Sequence, residues 1–300
     1  MTMPNFLIIG TAKSGTTALY NYLKQHPQVY MSPIKEPKFF AYEGEKLDFR
    51  GPGDRVANSS VVTDIEAYRA LFAKVSGEMT LGEASPLYLY IPKASERIRH
   101  HLPEAKLIAI LRNPAERAYS QFSQMVRDGR EPLEDFSQAL EAEEERAESG
   151  WEPGWHYKRM GFYHAQLERY FEVFGQDQLK IYLYEDLKAD PVGVLGETFR
   201  FLGVDEAFVP DMSLKHNVSG IPKSQALHAF IRQSHPIKSV FKPFVPEQLR
   251  LRLKTNLRNR NLNQPPPLSV EVREELQEAY REDILKLQGL IGRDLSSWLQ

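Results

Sequence analysis

A chain of 300 residues, 42% hydrophobic and 26% charged, is globular in composition and long enough to bury one substantial core, so one domain over 1–300 is expected. Its 38 basic and 40 acidic residues leave a formal charge of -2, which counts against a general nucleic-acid binder, since such proteins carry a basic excess. Cysteine is absent, which excludes disulfides, thiolate metal sites and thiol catalysis; with no leader-like start and no bilayer-length apolar run, a cytoplasmic enzyme is expected.

The apolar run Phe6 to Ile9 stops at Gly10, and Thr11, Ala12, Lys13, Ser14 and Gly15 lead into a helix-compatible stretch from Ser14 to Gln25. This pattern predicts a buried strand, a tight loop and a helix N-terminus. Such a junction cradles an anion, because the first helical amides lack intrahelical partners and the helix dipole is positive there. Lys13 adds a full charge, and Ser14, Thr16 and Thr17 offer hydroxyls to the same anion. Gly10 and Gly15 have the spacing of a nucleotide-triphosphate loop, but Thr16 stands where that loop has lysine. His26-Pro27 ends the helix, and His26 reads as a helix-end or packing residue.

Lys35 to Phe40 form a loop whose aromatic pair Phe39 and Phe40 anchors it. That loop is either a plain surface turn or a device that brings Glu36 to the cradle. The polar stretch Gly44 to Asn58 reads as a loop, either a lid or an exposed insertion. Ile65 to Phe72 is a short helix with Asp64 as its cap. Met79 to Tyr88 is a strand running into a loop, in which Glu83 is a second base, an orienting group or a structural residue. After a helix from Pro92 to His101, the apolar strand Lys106 to Leu111 reads as central in a parallel sheet covered on both faces. It ends in Arg112-Asn113-Pro114, with Arg117 and Ser120 on the next helix. Arginine there suits a phosphate, whose oxygens its planar fork can bind in pairs. A nucleoside triphosphatase would instead place an acidic metal-holding residue at such a strand end.

Glu131 to Glu148 is acidic and helix-permissive, with Glu143-Glu144-Glu145 read as a solvated face. Trp151, Trp155, His156 and Tyr157 form an aromatic loop that either holds a ligand or anchors itself; His156 is a reserve catalytic candidate, as is Glu83. A helix from Tyr157 to Phe174 carries Arg159, Gly161 and Tyr163. Leu179 to Tyr184 is a strand, followed by Glu185-Asp186-Leu187 and a helix from Val192 to Leu202. The Lys215 to Lys223 loop includes Asn217, Ser219, Gly220 and Pro222. Ile231 to Arg260 is basic, with a helix expected from Pro246 to Leu257. The final helices repeat Leu276, Tyr280, Ile284, Leu287 and Leu290 at helical spacing.

Lys13-Ser14-Gly15-Thr16-Thr17, together with Arg112-Asn113-Pro114 and Ser120 eight positions after the arginine, resembles the sulfotransferase family that uses 3'-phosphoadenosine 5'-phosphosulfate (PAPS). The resemblance implies an α/β fold, a single P-loop-like domain with a central parallel sheet flanked by helices. It implies that the lysine loop holds the 5'-phosphosulfate and that Arg112 and Ser120 hold the 3'-phosphate. Lys35-Glu36 with Phe39-Phe40 is similar to the K-E-x-x-F-F stretch of sulfotransferases acting on glycans, whose glutamate takes the acceptor proton; this makes Glu36 the base and Lys13 its catalytic partner. Lys38 departs from the histidine frequent there. Gly82, Glu83, Ser85, Pro86 and Tyr88 are similar to the family's G-E-K-[ST]-P-x-Y, but Ala84 replaces its lysine. Arg159-x-Gly161-x-Tyr163 is similar to the helix start beside the donor and acceptor channel, to which Lys35, Arg159, Tyr163 and Asn217 are assigned. Lys223 is assigned to the donor, and lid segments are placed around 42–60 and 145–160. No metal is required. The acceptor is expected to be a small molecule: lipid-like, polyketide-derived or a sugar. The alternatives are a magnesium-dependent small-molecule kinase of the P-loop type and a non-catalytic nucleotide-binding protein.

Overall fold

The computed structural model describes residues 2–213, 221–222, 262–263 and 266–300. Five short apolar runs form one parallel sheet: β1 (Phe6–Gly10), β2 (Val29–Met31), β3 (Thr80–Ala84), β4 (Lys106–Leu111) and β5 (Leu179–Leu183). They lie in the order β2-β3-β1-β4-β5. Every residue of β1 and β3 is buried, as expected of strands covered by helices on both faces. Apolar clusters lie on the two faces, one containing Leu7, Ile9, Leu107 and Leu111 and the other Phe6, Ile8, Ile108 and Ile110. Alternate residues of one strand thus feed opposite layers.

The sheet order has a functional consequence. From β1 the chain moves to β2 at the edge and then β3 on one side, and later to β4 and β5 on the other. The carboxyl end of β1 is therefore the switch point, where ligands of open α/β sheets bind. The loops that follow β1, β3 and β4 meet there.

Helices fill the connections. α1 (Thr16–Leu23) follows the β1 loop, and α2 (Phe39–Tyr42), α3 (Asp54–Ser60) and α4 (Ile65–Ala70) lie between β2 and β3. The polar stretch expected as loop thus contains a helix, begun at Asp54. Asp64 caps α4 by accepting from Ala67 N at 2.8 Å. α5 (Pro92–His101) and α6 (Pro114–Arg127) flank β4, with Pro at the first turn of each. The acidic region forms α7 (Phe136–Glu141) and α8 (Glu143–Glu148). Glu143 is buried, not solvated, because its carboxylate accepts from Lys158 N at 2.6 Å and Arg159 N at 2.9 Å. α9 (Tyr163–Val173) begins later than its apolar spacing suggests; a short 3-10 turn, Arg159–Gly161, precedes it. α10 (Tyr184–Ala189) and α11 (Pro191–Leu202) follow β5, and α12 (Val270–Ile291) packs on α9 through Leu276, Tyr280, Ile284 and Leu287. A Cβ on Gly161 would lie 2.6 Å from the Tyr280 ring, so glycine lets the two segments touch.

His26 is buried against Phe199 and Phe208, with ring centroids 4.7 and 4.8 Å away. Ile221–Pro222 pairs antiparallel with Leu262–Asn263. Asn217, Ser219, Gly220, Lys223 and the segment 231–260 lie outside the described residues. Among the described residues no helix is long and apolar enough to cross a membrane, and no cluster of three or more His, Asp or Glu is placed to hold a metal ion.

Candidate active site

A cavity of about 520 Å³ opens at the carboxyl ends of β1 and β4. Its first wall is the loop after β1. Gly15 adopts φ +92° at the N-cap of α1, with no side chain capping the helix, so the first amides remain available to a ligand. Lys13 is held at φ +70°, and Lys13, Gly15, Thr16 and Thr17 line the cavity. Ser14 does not: it is wholly buried, and its hydroxyl pairs with Thr11 Oγ1 at 2.6 Å. Lys13 Nζ donates to Gln124 Oε1 at 2.6 Å. Burial, followed by the charges of Arg127 and Arg112, brings the Lys13 ammonium down to about 8.

The second wall comes from the loop after β2. Glu36 N donates to Ala84 O at 2.9 Å, and Lys38 N donates to Ser85 Oγ at 3.1 Å. The loop therefore hangs from the end of β3. Glu36 and Lys38 sit at φ +62° and +57°, a conformation that costs a residue with a Cβ and persists only where its surroundings impose it. Those surroundings are aromatic: Phe39 stacks on Tyr68 with centroids 4.5 Å apart, and Phe40 meets Tyr88 edge-on at 5.5 Å. Burial would raise the Glu36 carboxyl, but Lys35, Lys38 and Lys13 together outweigh it and hold Glu36 below its ordinary value. Lys35 ion-pairs with Glu36 directly but does not line the cavity.

Glu83 lies beneath this loop, wholly buried. Ser85 Oγ donates to it at 2.9 Å and Tyr68 Oη at 3.4 Å. Burial brings its carboxyl up to about 7 against the pull of Tyr88, Ser85 and Tyr68. Because Ser85 also accepts from Lys38 N, Glu83 anchors the Glu36 loop from below and does not line the cavity.

The far end is built by β4 and α6. Arg112 follows the strand and donates to Lys13 O at 3.1 Å, with its guanidinium 4.8 Å from the Tyr184 ring. Asn113 caps α6 by accepting from Ala115 N and Glu116 N at 3.0 and 3.3 Å. Arg112 and Ser120 both line the cavity. The two ends of the site thus carry separate cations, joined by one backbone hydrogen bond.

Residues 4–208 match the Sulfotransferase family. The chain belongs to that family. This sulfotransferase is 36% identical to a sulfotransferase from Alicyclobacillus acidocaldarius, whose structure it matches over the whole of both chains with a TM-score of 0.79. It is 31% identical to the mouse bifunctional heparan sulfate N-deacetylase/N-sulfotransferase 4 over 67% of this chain and 22% of that one. Human heparan sulfate glucosamine 3-O-sulfotransferase 6 is 30% identical over 67% of this chain and 52% of its own. The chain spans about half or less of the length of these two relatives.

Several residues expected at the site stand elsewhere in this sulfotransferase. Arg117, on the same helix as Ser120, is wholly buried and donates to Tyr157 O and to Met160 Sδ, so it supports the aromatic loop. His156 bonds Tyr90 Oη through Nδ1 at 2.7 Å and does not line the cavity; burial, then Arg159, lowers it to about 4. Arg159 pairs with Glu144. Tyr163 is buried, and its hydroxyl donates to Arg112 O at 2.9 Å, which steadies the arginine from behind. Conversely, Gln124, Arg127, Arg130, Glu152, Tyr184 and Lys188 line the cavity without standing in any motif. Lys188 had a sequence signal, since it follows directly on Glu185-Asp186-Leu187.

Proposed function

We propose that this sulfotransferase moves a sulfonate group from PAPS to an acceptor hydroxyl, or an amine, with Glu36 as base and Lys13 stabilising the leaving group. One observation carries the reading: among the described residues, the three non-glycine residues with positive φ, Lys13, Glu36 and Lys38, all line the cavity that ends in Arg112 and Ser120. Maintaining three costly conformations around one cavity indicates that the positions of these side chains matter.

The cavity suits a doubly phosphorylated nucleotide. Lys13, Lys38, Arg112, Arg127, Arg130 and Lys188 outnumber Glu36, Asp128 and Glu152 on its walls. The loop from Gly10 to Gly15 acts as a P-loop-like cradle for the 5'-phosphosulfate, with Thr16, Thr17 and the open amides of α1. Arg112 and Ser120 take the 3'-phosphate. As the acceptor oxygen bonds to sulfur, its proton passes to Glu36, and the bond from sulfur to the phosphate oxygen breaks. Charge growing on that oxygen meets Lys13 and the N-terminus of α1, where an interaction stronger in the transition state speeds the step. One domain spans 1–300, and segments 42–60 and 145–160 border the acceptor side. The acceptor is a small sugar, lipid-like or polyketide-derived molecule; Ala84, in place of a lysine, disfavours a polyanionic glycan.

Calorimetric titration with 3'-phosphoadenosine 5'-phosphate (PAP) and with adenosine 5'-phosphate, without magnesium, tests the donor. PAP should bind clearly more tightly, and Arg112→Ala should remove most of that preference, a loss of roughly 1.5–3 kcal/mol. Equal affinities, or binding only with magnesium, would favour the kinase reading. Once screening with labelled donor finds an acceptor, Glu36→Gln should keep donor affinity and lower single-turnover transfer roughly 100- to 10,000-fold. Transfer at the wild-type rate would move the base elsewhere.

A further inference from the structure

Arg112 has a competitor on the helix that follows it. Glu116 stands one turn beyond it on α6, and Glu116 Oε2 lies 3.6 Å from Arg112 Nη2. A carboxylate at this spacing attracts the guanidinium edge that a phosphate would use. The other carboxylate oxygen, Oε1, accepts a hydrogen bond from Arg273 Nη2 at 2.5 Å. Glu116 is therefore shared between two arginines, and the shorter contact is to the one that does not line the cavity.

Arg273 is oddly placed for a merely helical residue. It stands near the N-terminus of α12, after the Ser269 cap, where the helix dipole opposes a cation. Neighbouring contacts hold that end of α12 and the chain terminus against the same side of α6. Tyr119 Oη donates to Pro266 O at 2.7 Å, and Asn113 Nδ2 donates to Trp298 O at 3.4 Å. Asn113, Glu116 and Tyr119 are spaced by three and form one stripe along α6. Arg112 and Ser120, which line the cavity, stand one turn before and one turn after Glu116.

We infer that Arg273 is a positioning residue for the donor site: it draws Glu116 away from Arg112 and keeps the Arg112 fork open to the 3'-phosphate. The inference rests on the assignment of that phosphate to Arg112 made above. It also gives residues 266–300, which lie beyond the 4–208 span that matches the family, a part in nucleotide selection.

The test is titration of PAP and adenosine 5'-phosphate into wild type, Arg273→Gln, Glu116→Gln and the double variant. Without Arg273, Glu116 turns to Arg112, so Arg273→Gln should weaken PAP about two- to fivefold, the range of partly exposed charge pairs. Adenosine 5'-phosphate, which lacks the 3'-phosphate, should bind as before. Glu116→Gln should strengthen PAP, and the double variant should match Glu116→Gln alone, because Arg273 then has nothing to withdraw. If the loss persists in the Glu116→Gln background, Arg273 acts only through its general field and the inference fails. Equal loss of both nucleotides in Arg273→Gln would assign Arg273 to the fold and overturn it too. Equal affinities of wild type for the two nucleotides would overturn the donor assignment, and this inference with it. A wild-type preference that Arg273→Gln leaves intact overturns the inference alone.

Discussion

Lys13 concentrates the conflicts of the site in one side chain. It needs a left-handed backbone to reach the cavity, and the cavity then strips it of water and surrounds it with Arg127 and Arg112, so its proton is released at about 8. A bound anion favours the charged form and raises that value. PAP affinity should therefore be level below pH 8 and fall above it, by up to about tenfold per pH unit while only the complex holds the proton. Lys13→Arg, protonated throughout this range, should show no such fall. Calorimetry from pH 7 to 9.5 would decide, and a level wild-type profile would show that Lys13 does not contact the nucleotide as a cation. That Lys13, Thr16, Thr17 and Arg112 line the cavity was readable in the sequence because a strand end followed by a helix leaves their positions little freedom, and Ser120 was readable through the family resemblance. The inward turn of Ser14 was not, since it depends on the φ of Lys13, which residue type does not reveal.

At the scale of elements, α3 and the aromatic loop at Glu152 are tied by charge through Arg130. Asp54, wholly buried at the first position of α3, ion-pairs with Arg130 and accepts from Gly51 N at 2.7 Å and Glu152 N at 3.0 Å. Arg130 Nη1 also donates to Glu152 Oε1 at 2.6 Å, and Nε donates to Pro52 O at 2.8 Å. The two segments expected as lids thus share one buried network beside the cavity. Arg130→Ala would leave Asp54 charged and without its cation, which costs about 3–5 kcal/mol. Denaturant unfolding should register that loss, and hydrogen exchange should quicken in residues 51–60 and 150–156; a change under 1 kcal/mol would mean that the backbone amides alone satisfy Asp54. Nothing in the sequence announced this network, because its partners lie 76 and 22 positions apart. The apolar run of β4 was legible to the residue. The three-residue β2 was too short to give a pattern, and α3 was hidden in a polar, glycine-rich stretch.

For the whole molecule, two groups outside the cavity, the buried Glu83 and the half-buried His156, shape stability in opposite directions. Burial keeps Glu83 protonated up to about 7, against 4.5 in an exposed chain, so the unfolded state releases a proton that the folded state retains. Stability from this group falls as pH rises from about 4.5 to 7. Burial and Arg159 keep His156 neutral down to about 4, so the unfolded state gains a proton below 6.5 and stability falls as pH drops from about 6.5 to 4. The slopes overlap and offset each other. Relative to wild type, Glu83→Gln should gain melting temperature progressively from pH 4.5 to 7, and His156→Asn should gain it as pH falls from 6.5 to 4. A difference between variant and wild type that stays constant with pH would contradict the assignment for that residue.

The pairing of β1 with β4 also governs when the site can exist. Phe6 lies beside Lys106, about one hundred residues later in the chain, and Lys13 O meets Arg112 only once those strands are neighbours. During synthesis the loop after β1 emerges before its partner, which arrives roughly 5–20 s later at usual translation rates. Until β3 is made, at residues 80–84, β1, apolar along its whole length, has neither of its sheet neighbours, and until β4 follows it has only one. A nascent chain of this protein is therefore sticky before it is competent, and slowing translation between residues 10 and 106 would lengthen its exposure to aggregation and to chaperones.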